Sequence, residues 1–241
     1  NAADSPIVAK QVMVSDVDRH VIAFGCNPVG SNIQDPLLIR FSSQEAPQDW
    51  RPLTTNTAGD LRIGSGTAIV QAVETRQEIL VFTDQALHSM QFIGPPYTFG
   101  INRISENITI RSPNAAVAVG DSVYWMGKDQ FYVYRGNVNQ LECTVRERIL
   151  TDINDDQLDK VFAGVNSGYQ EIWWFYPSIN SNDIDKYVIY NYDANIWYYG
   201  TLSRTAWVDR GVLDYPMAAG NDGILYNHEY EIDDQSGASP A

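Results

Sequence analysis

Cysteine is scarce: Cys26 and Cys143 are the only two in 241 residues, 117 positions apart and in unrelated contexts. A disulfide-built secreted scaffold carries many more, and a zinc site needs paired spacings such as Cys-x-x-Cys. Both thiols therefore read as small buried residues, with one bridge between them left open. Long apolar runs are missing too. Nowhere do about eighteen apolar residues follow one another, so no membrane insertion is expected. Positive charge is in deficit: 16 Lys and Arg stand against 30 Asp and Glu, a formal net charge of −14. Phosphate neutralisation takes a surplus of Lys and Arg, which argues against a general nucleic-acid binder and equally against docking on anionic lipid. The chain opens Asn1-Ala2-Ala3-Asp4, with neither Met nor a charged-then-apolar leader. That start reads as a processed product or a piece cut from a longer chain.

What is present is material for a core. With 44% hydrophobic, 12% aromatic and only 19% charged residues, the chain is no disordered segment, and its length suits one large all-β domain or two ordinary ones. Short runs rich in Val, Ile, Tyr, Phe and Trp recur between Gly, Asn, Asp, Ser and Pro clusters, the signature of strands. Turn signals such as Gly127-Lys128-Asp129, Asn166-Ser167-Gly168, Asp193-Ala194-Asn195 and Asn221-Asp222-Gly223 suit hairpins. Helix signals are thin. Capping residues and acids predict one short helix over Thr151–Lys160, and Gln44–Trp50 offers a single turn broken by Pro47.

The strands fall into groups, and the groups repeat. The strongest runs, His20–Phe24, Glu78–Phe82, Ser122–Met126 and Glu171–Tyr176, start 58, 44 and 49 residues apart. Each is followed by a second run, beginning at Leu37, Ala86, Gln130 and Tyr187, and a fifth, partial group appears at Ile224. Units of roughly 40–50 residues with about four strands are the rhythm of β-propeller blades. Two units align as small-and-apolar strand, Trp-bearing strand, Tyr-bearing strand: Ala115–Val119 with Tyr124-Trp125, and Val161–Val165 with Trp173-Trp174. An ordinary β-sandwich gives the same alternation, but the repeat favours an all-β propeller, or part of one, built from four-stranded antiparallel blades with at most one short helix. The expected organisation is residues 1–14 as an N-terminal tail and closing strand, pairing with the Ile224 unit. Residues 15–230 form the propeller-like domain, and 231–241 a loose acidic tail.

Chemistry-bearing motifs are few. The sialidase turn Ser-x-Asp-x-Gly-x-Thr-Trp, kelch double glycines and a Gly-His…Trp-Asp signature do not occur. Asp152-Ile153-Asn154-Asp155-Asp156 begins like a calcium loop but carries Gln157 and Ala163 where glycine and the bidentate acid belong, so helix capping accounts for it better. Asp183 and Asp185 read as a solvated loop. His20, His88 and His228 lie far apart without catalytic neighbours and read as structural. Gly64-Ser65-Gly66 is neither a nucleophile elbow nor a dinucleotide loop. Asn107-Ile108-Thr109 matches a glycosylation sequon with no secretory signal behind it. Trp173–Tyr176 and Trp197-Tyr198-Tyr199 invite a sugar platform, yet consecutive aromatics in a strand imply burial on both faces. No catalytic, cofactor-binding or metal-ligating residue is nominated, and no cofactor is expected.

One ordered set of motifs resembles a known family. It runs from Asp18-Arg19-His20-Val21-Ile22-Ala23-Phe24-Gly25 through Asp35-Pro36-Leu37-Leu38-Ile39-Arg40-Phe41-Ser42, Ala46-Pro47-Gln48-Asp49-Trp50 and Thr57-Ala58-Gly59-Asp60-Leu61. Gly94-Pro95-Pro96-Tyr97, Tyr124-Trp125-Met126-Gly127, Phe131-Tyr132-Val133-Tyr134 and Glu171–Tyr176 follow. Over residues 15–230 this is similar to the tail nozzle or hub proteins of short-tailed bacteriophages, also called tail tubular or stabilisation proteins. The resemblance implies a non-enzymatic virion subunit, self-associating into a ring, usually a hexamer. That ring sits below an adaptor ring, bears fibres or spikes, and passes DNA only transiently and non-specifically. It also implies assembly in a host bacterial cytoplasm, which the shortage of cysteine suits, and channel-facing loops that are net acidic. Family members are generally longer than 241 residues. The alternative is a carbohydrate-binding or glycan-cleaving propeller, such as a receptor-binding tail component; a cellular peptide-binding propeller is a third.

Overall fold

A computed structural model of the chain describes residues 4–230. Five sheets follow one another in sequence. The first is β1 (Ala9–Val14), β2 (Val21–Cys26), β3 (Leu38–Phe41) and β4 (Gly59–Arg62). The second is β5 (Ile69–Glu74), β6 (Ile79–Thr83), β7 (Ala86–Gly94) and β8 (Thr98–Glu106). The third is β9 (Ala116–Val119), β10 (Ser122–Met126), β11 (Phe131–Tyr134) and β12 (Val138–Leu141). The fourth is β13 (Phe162–Asn166), β14 (Glu171–Tyr176), β15 (Lys186–Asn191) and β16 (Ile196–Thr201). A last sheet has three strands among the described residues: β17 (Ala206–Val208), β18 (Met217–Ala219) and β19 (Leu225–Asn227).

In every sheet the spatial order of strands is the order of the chain, and neighbours pair antiparallel wherever their register is defined. Four-stranded meanders repeated along the chain are propeller blades, and the fold is of that all-β class. The runs that set the sequence repeat are the second strand of each sheet, β2, β6, β10 and β14. Covered on both faces, they read as continuous apolar stretches.

The chain divides into two compact units. One comprises the chain up to Ile110 with Ala118–Val123 and Tyr132–Gln140; the other comprises Arg111–Val117, Tyr124–Phe131 and the chain from Leu141. In the first unit, first strand lies beside first strand (β1 and β5) and last beside last (β4 and β8). Gln11 ties the inner pair together: its side-chain amide donates to Ala72 O at 2.8 Å and accepts from Ala72 N at 2.7 Å, as a strand backbone would. In the second unit β13 lies beside β17, and Trp207 stacks on Trp173 with centroids 5.2 Å apart. A Cβ on Gly164 would come within 2.6 Å of the Trp207 ring, so this small inner-strand residue is what lets the indole in.

Three expectations are corrected. Among the described residues the N-terminal strand pairs with β2, and β19 with β18, so the expected pairing of that strand with the Ile224 unit is not found there. The expected helix over Thr151–Lys160 is instead α1 (Arg146–Asp152) followed by a 3-10 segment, Asp155–Lys160. The break falls at Ile153, which turns extended, is buried and bridges to Ser178. Burying one isoleucine thus ends the helix before its capping signals can extend it. Finally, Cys26 is buried but Cys143 only half-buried, and both are free thiols. The acidic tail expected over 231–241 lies outside the described residues, as do positions 1–3.

Candidate functional site

A developed concavity lies in the first unit, where two tight turns meet. Ser15–Arg19 turns the chain from β1 into β2: Ser15 N donates to His20 O and Arg19 N to Ser15 O, both at 2.9 Å. Thr75–Glu78 turns β5 into β6, with Thr75 N donating to Glu78 O at 2.9 Å. Thr75 Oγ1 accepts from Glu78 N at 3.2 Å, an ST-turn that preorganises the hairpin. Glu74 clasps the two turns by accepting from Asp16 N at 3.0 Å.

Two adjoining cavities flank this clasp. One, of about 200 Å³, is lined by Val17, Asp18, Glu74–Glu78, Ile79, Met90 and Phe92. The other, of about 310 Å³, is lined by Asp16, Val17, Glu74, Thr75, Arg76 and Gly120. Four carboxylates (Asp16, Asp18, Glu74 and Glu78) thus border a floor of Ile79, Met90 and Phe92, with Arg76 the cation among the lining residues. Burial pushes the Asp18 carboxyl above its ordinary range, against the opposing pull of nearby His20 and the Ser15 hydrogen bond. Burial likewise raises Glu74, and the neighbouring charges of Asp16 and Asp18 add to it. Glu78 is held by Tyr134 Oη at 2.6 Å, by Gln91 Nε2 at 3.3 Å and by the Ser89 hydroxyl. Burial first, and then Glu78, moves the Tyr134 hydroxyl well above its usual pKa, so it remains a donor. The arrangement is a negative, partly desolvated recess suited to receiving positive charge.

The residues weighed from sequence occupy structural places. His20 is fully buried against Phe41 and Phe99, with Thr57 Oγ1 3.2 Å from its Nε2. His228 Nε2 accepts from Arg204 Nε at 3.0 Å. Asn154 caps Asp156 N at 3.0 Å, which is the capping role expected of that acidic segment. Asp152 pairs with Lys186 at 2.7 Å, Asp183 with Lys160 at 3.0 Å, and Asp185 binds the Ser178 amide at 2.7 Å. Trp173–Tyr176 is buried throughout. Tyr198 and Tyr199 depart from the expectation: on β16, the edge strand of its sheet among the described residues, they are 46% and 45% exposed.

Sequence reasoning missed two sets. The groove carboxylates sit at turn positions where an acid is unremarkable, and only pairing of the two hairpins gathers them. Ser65 Oγ lies 2.8 Å from His88 Nε2, joining a loop to β7 with no sequence spacing to announce it. Burial lowers the His88 pKa, but its Nδ1 is buried without a carboxylate to orient it, unlike a catalytic triad. Among the described residues, no three His, Cys, Asp or Glu side chains converge on a metal.

No protein-family model matches the chain, and no curated protein does. Among solved structures it is similar to an extracellular domain from B. thetaiotaomicron described as part of a one-component system, at 8% identity and a TM-score of 0.49. That match covers 92% of this chain and 33% of the other, so the chain spans about a third of its length. A chain from an S. cerevisiae assembly of Dbp5, Nup159 and Gle1 matches at 9% identity and a TM-score of 0.39, covering 93% and 74%. The N-terminal domain of Nup159 matches at 10% and 0.40, covering 94% and 76%.

Proposed function

We propose that the chain is a structural, non-catalytic propeller module of a phage tail nozzle or hub, part of the ring through which a genome is retained and ejected. The reading includes self-association, six-fold in such rings, contacts with an adaptor ring and with fibres or spikes, and only transient passage of DNA. Its place would be the virion tail, assembled in the host bacterial cytoplasm. The ordered motifs from Asp18 to Tyr176 favour it, as does an acidic surface that cannot grip phosphate.

The observation that carries it is exposed apolar surface on an open strand. Val12 and Val14, each 59% exposed, alternate along one face of β1, and Val17, 62% exposed, continues them into the turn beside the acidic recess. Apolar side chains gathered on an edge strand are what a subunit buries against its neighbours. Negative-stain microscopy of the full gene product tests this: rings with a central hole support a nozzle, and dispersed single particles at every concentration overturn it. Val12→Asp with Val14→Asp should leave circular dichroism unchanged and abolish rings; intact rings would remove β1 from the interface. The half-exposed Tyr198 and Tyr199 favour a second reading, a carbohydrate-binding propeller, which requires oligosaccharide binding by single subunits and its loss in Tyr199→Ala.

A further inference from the structure

We infer that successive copies of the chain join head to tail, the outer face of the fifth sheet in one copy packing on the Lys10, Val12 and Val14 face of β1 in the next. The inference rests on the self-association in the nozzle reading and assigns it a contact. Register sorts the last sheet into two faces. Trp207, Ala218 and Tyr226 stand opposite one another across β17, β18 and β19, and Trp207 carries this side onto Trp173 of the fourth sheet. The other side holds Ala206, Ala219 and Leu225 in one row and Val208, Met217 and Asn227 in the next. Five of these six are apolar and none is charged, yet Val208 is 57% and Leu225 66% exposed. β1 alternates in the same way. Gln11 binds Ala72 and Met13 packs into the cluster between the first two sheets. Lys10, Val12 and Val14 therefore point to the opposite side, and all three are exposed.

Three features name a second copy as the occupant. The fold repeats one packing step: β1 lies beside β5 and β13 beside β17, first strand to first strand. Carried from one copy to the next, that step sets β17 beside β1, apolar face to apolar face, and sheets stacked in this way interdigitate at about 10 Å. A chain of net charge −14 also repels its own copies. Neither face carries a carboxylate, so approach is least opposed there. Charge at the margins is complementary as well. Lys10 takes part in no ion pair among the described residues. The connections bordering the fifth-sheet face, residues 209–216 and 220–224, hold Asp209, Asp214 and Asp222 against the single cation Arg210. Because the two faces differ, the contact is heterologous: each copy offers one of each, and the series runs on until it closes.

Cross-linking tests the contact on the 241-residue chain, with Cys143→Ser as background because Cys143 is a free thiol that is only half-buried. Val12→Cys and Val208→Cys chains, mixed in equal amounts and treated with a short bismaleimide, should give a covalent dimer on denaturing gels. Either chain alone should stay monomeric, and a chain carrying both substitutions should give a ladder. Val208→Asp should weaken association in sedimentation at least tenfold with far-ultraviolet circular dichroism unchanged. Ile33→Asp, at an 80% exposed site outside both faces, should associate as the wild type does. A dimer from either single variant alone would mean a symmetric contact and overturn the proposal. So would a fast-running monomer without a ladder from the double variant, which would join the two faces within one chain. Rings that persist in Val208→Asp and give no mixed cross-link would remove this contact and leave the nozzle reading standing. A wild type that stays dispersed at every concentration overturns both.

Discussion

Between the sheets of the first unit lie Ile22, Phe24, Ile39, Phe41, Ile69, Ile79, Val81, Met90 and Phe99; the second unit fills the same kind of space with Trp173, Phe175, Phe162, Tyr187 and Trp207. The first packing mixes aliphatic side chains with Phe24, Phe41 and Phe99, and its polar ties come from small or flexible side chains, Gln11 to Ala72 and Thr98 Oγ1 to Thr57 O at 3.0 Å. The aromatic packing is also pinned by direction. Trp174 Nε1 donates to Ala115 O at 2.9 Å, Trp197 Nε1 to Glu142 O at 2.9 Å, and Trp207 Nε1 to Val165 O at 2.7 Å. Each indole thus fills space at one end and satisfies a backbone carbonyl of another segment at the other. The space between blade-type sheets can therefore be filled by side chains that only pack, with small polar groups tying the edges, or by indoles that pack and donate at once, and the second kind should tolerate substitution less well.

Trp174→Ala gives the largest expected loss, about 3–5 kcal/mol from cavity and orphaned carbonyl together. Trp174→Phe separates the two and should still cost about 1–3 kcal/mol, against under about 1.5 for Phe82→Leu in the first unit. Equal urea midpoints for those two variants would break the contrast. Gly164→Ala should cost about 1–3 kcal/mol through collision with Trp207, seen in thermal melts and in near-ultraviolet circular dichroism. Its first-unit counterpart, Gln11→Leu, leaves Ala72 N and O unpaired and should cost about 1–2 kcal/mol.

Acid sharpens the comparison from another side. Burial, and then the Arg204 guanidinium, holds His228 down to about 4 from an ordinary 6.5. Between those values the unfolded chain takes up a proton that the folded chain does not, so this group makes stability fall as pH drops through that window. Glu171 acts the other way. Burial raises its pKa, so the folded chain binds the proton more readily, its charge costs stability above the ordinary carboxylate range and acidification relieves the cost. In profiles of Tm against pH, His228→Gln should flatten the first limb and Glu171→Gln the second. The smallest effect belongs to Glu45→Gln: the Arg19–Glu45 pair is 67% and 60% exposed, and its loss should stay within about 0.5 kcal/mol by urea titration.

How far the sequence carries can be read strand by strand. The second and third strands of the four-stranded sheets announce themselves through their buried apolar and aromatic residues, even where Arg40 or His88 interrupts the run. The first strands Ile69–Glu74, Ala116–Val119 and Phe162–Asn166 were also legible, as small-and-apolar runs, but most of the last strands were not. Gly59–Arg62, Thr98–Glu106 and Val138–Leu141 are partly exposed and polar, and they become strands only because a neighbour offers its backbone. Where an outer strand is aromatic, as in Ile196–Thr201, it was legible, but the exposure of Tyr198 and Tyr199 was not. The acidic recess escaped for a related reason: Asp16, Asp18, Glu74 and Glu78 belong to two hairpins whose meeting no local pattern encodes.

The sequence by itself determined the all-β class, the repeat of sheets and the acidic balance, since periodicity and composition act locally and additively. The tertiary structure alone decided which strand edges pair and that β1 joins β2 rather than a distant unit. It also decided that Asn166, Glu171 and Glu229 converge from positions up to 63 residues apart. Those choices depend on which surfaces exclude water together, and that is a property of the assembled chain rather than of any segment within it.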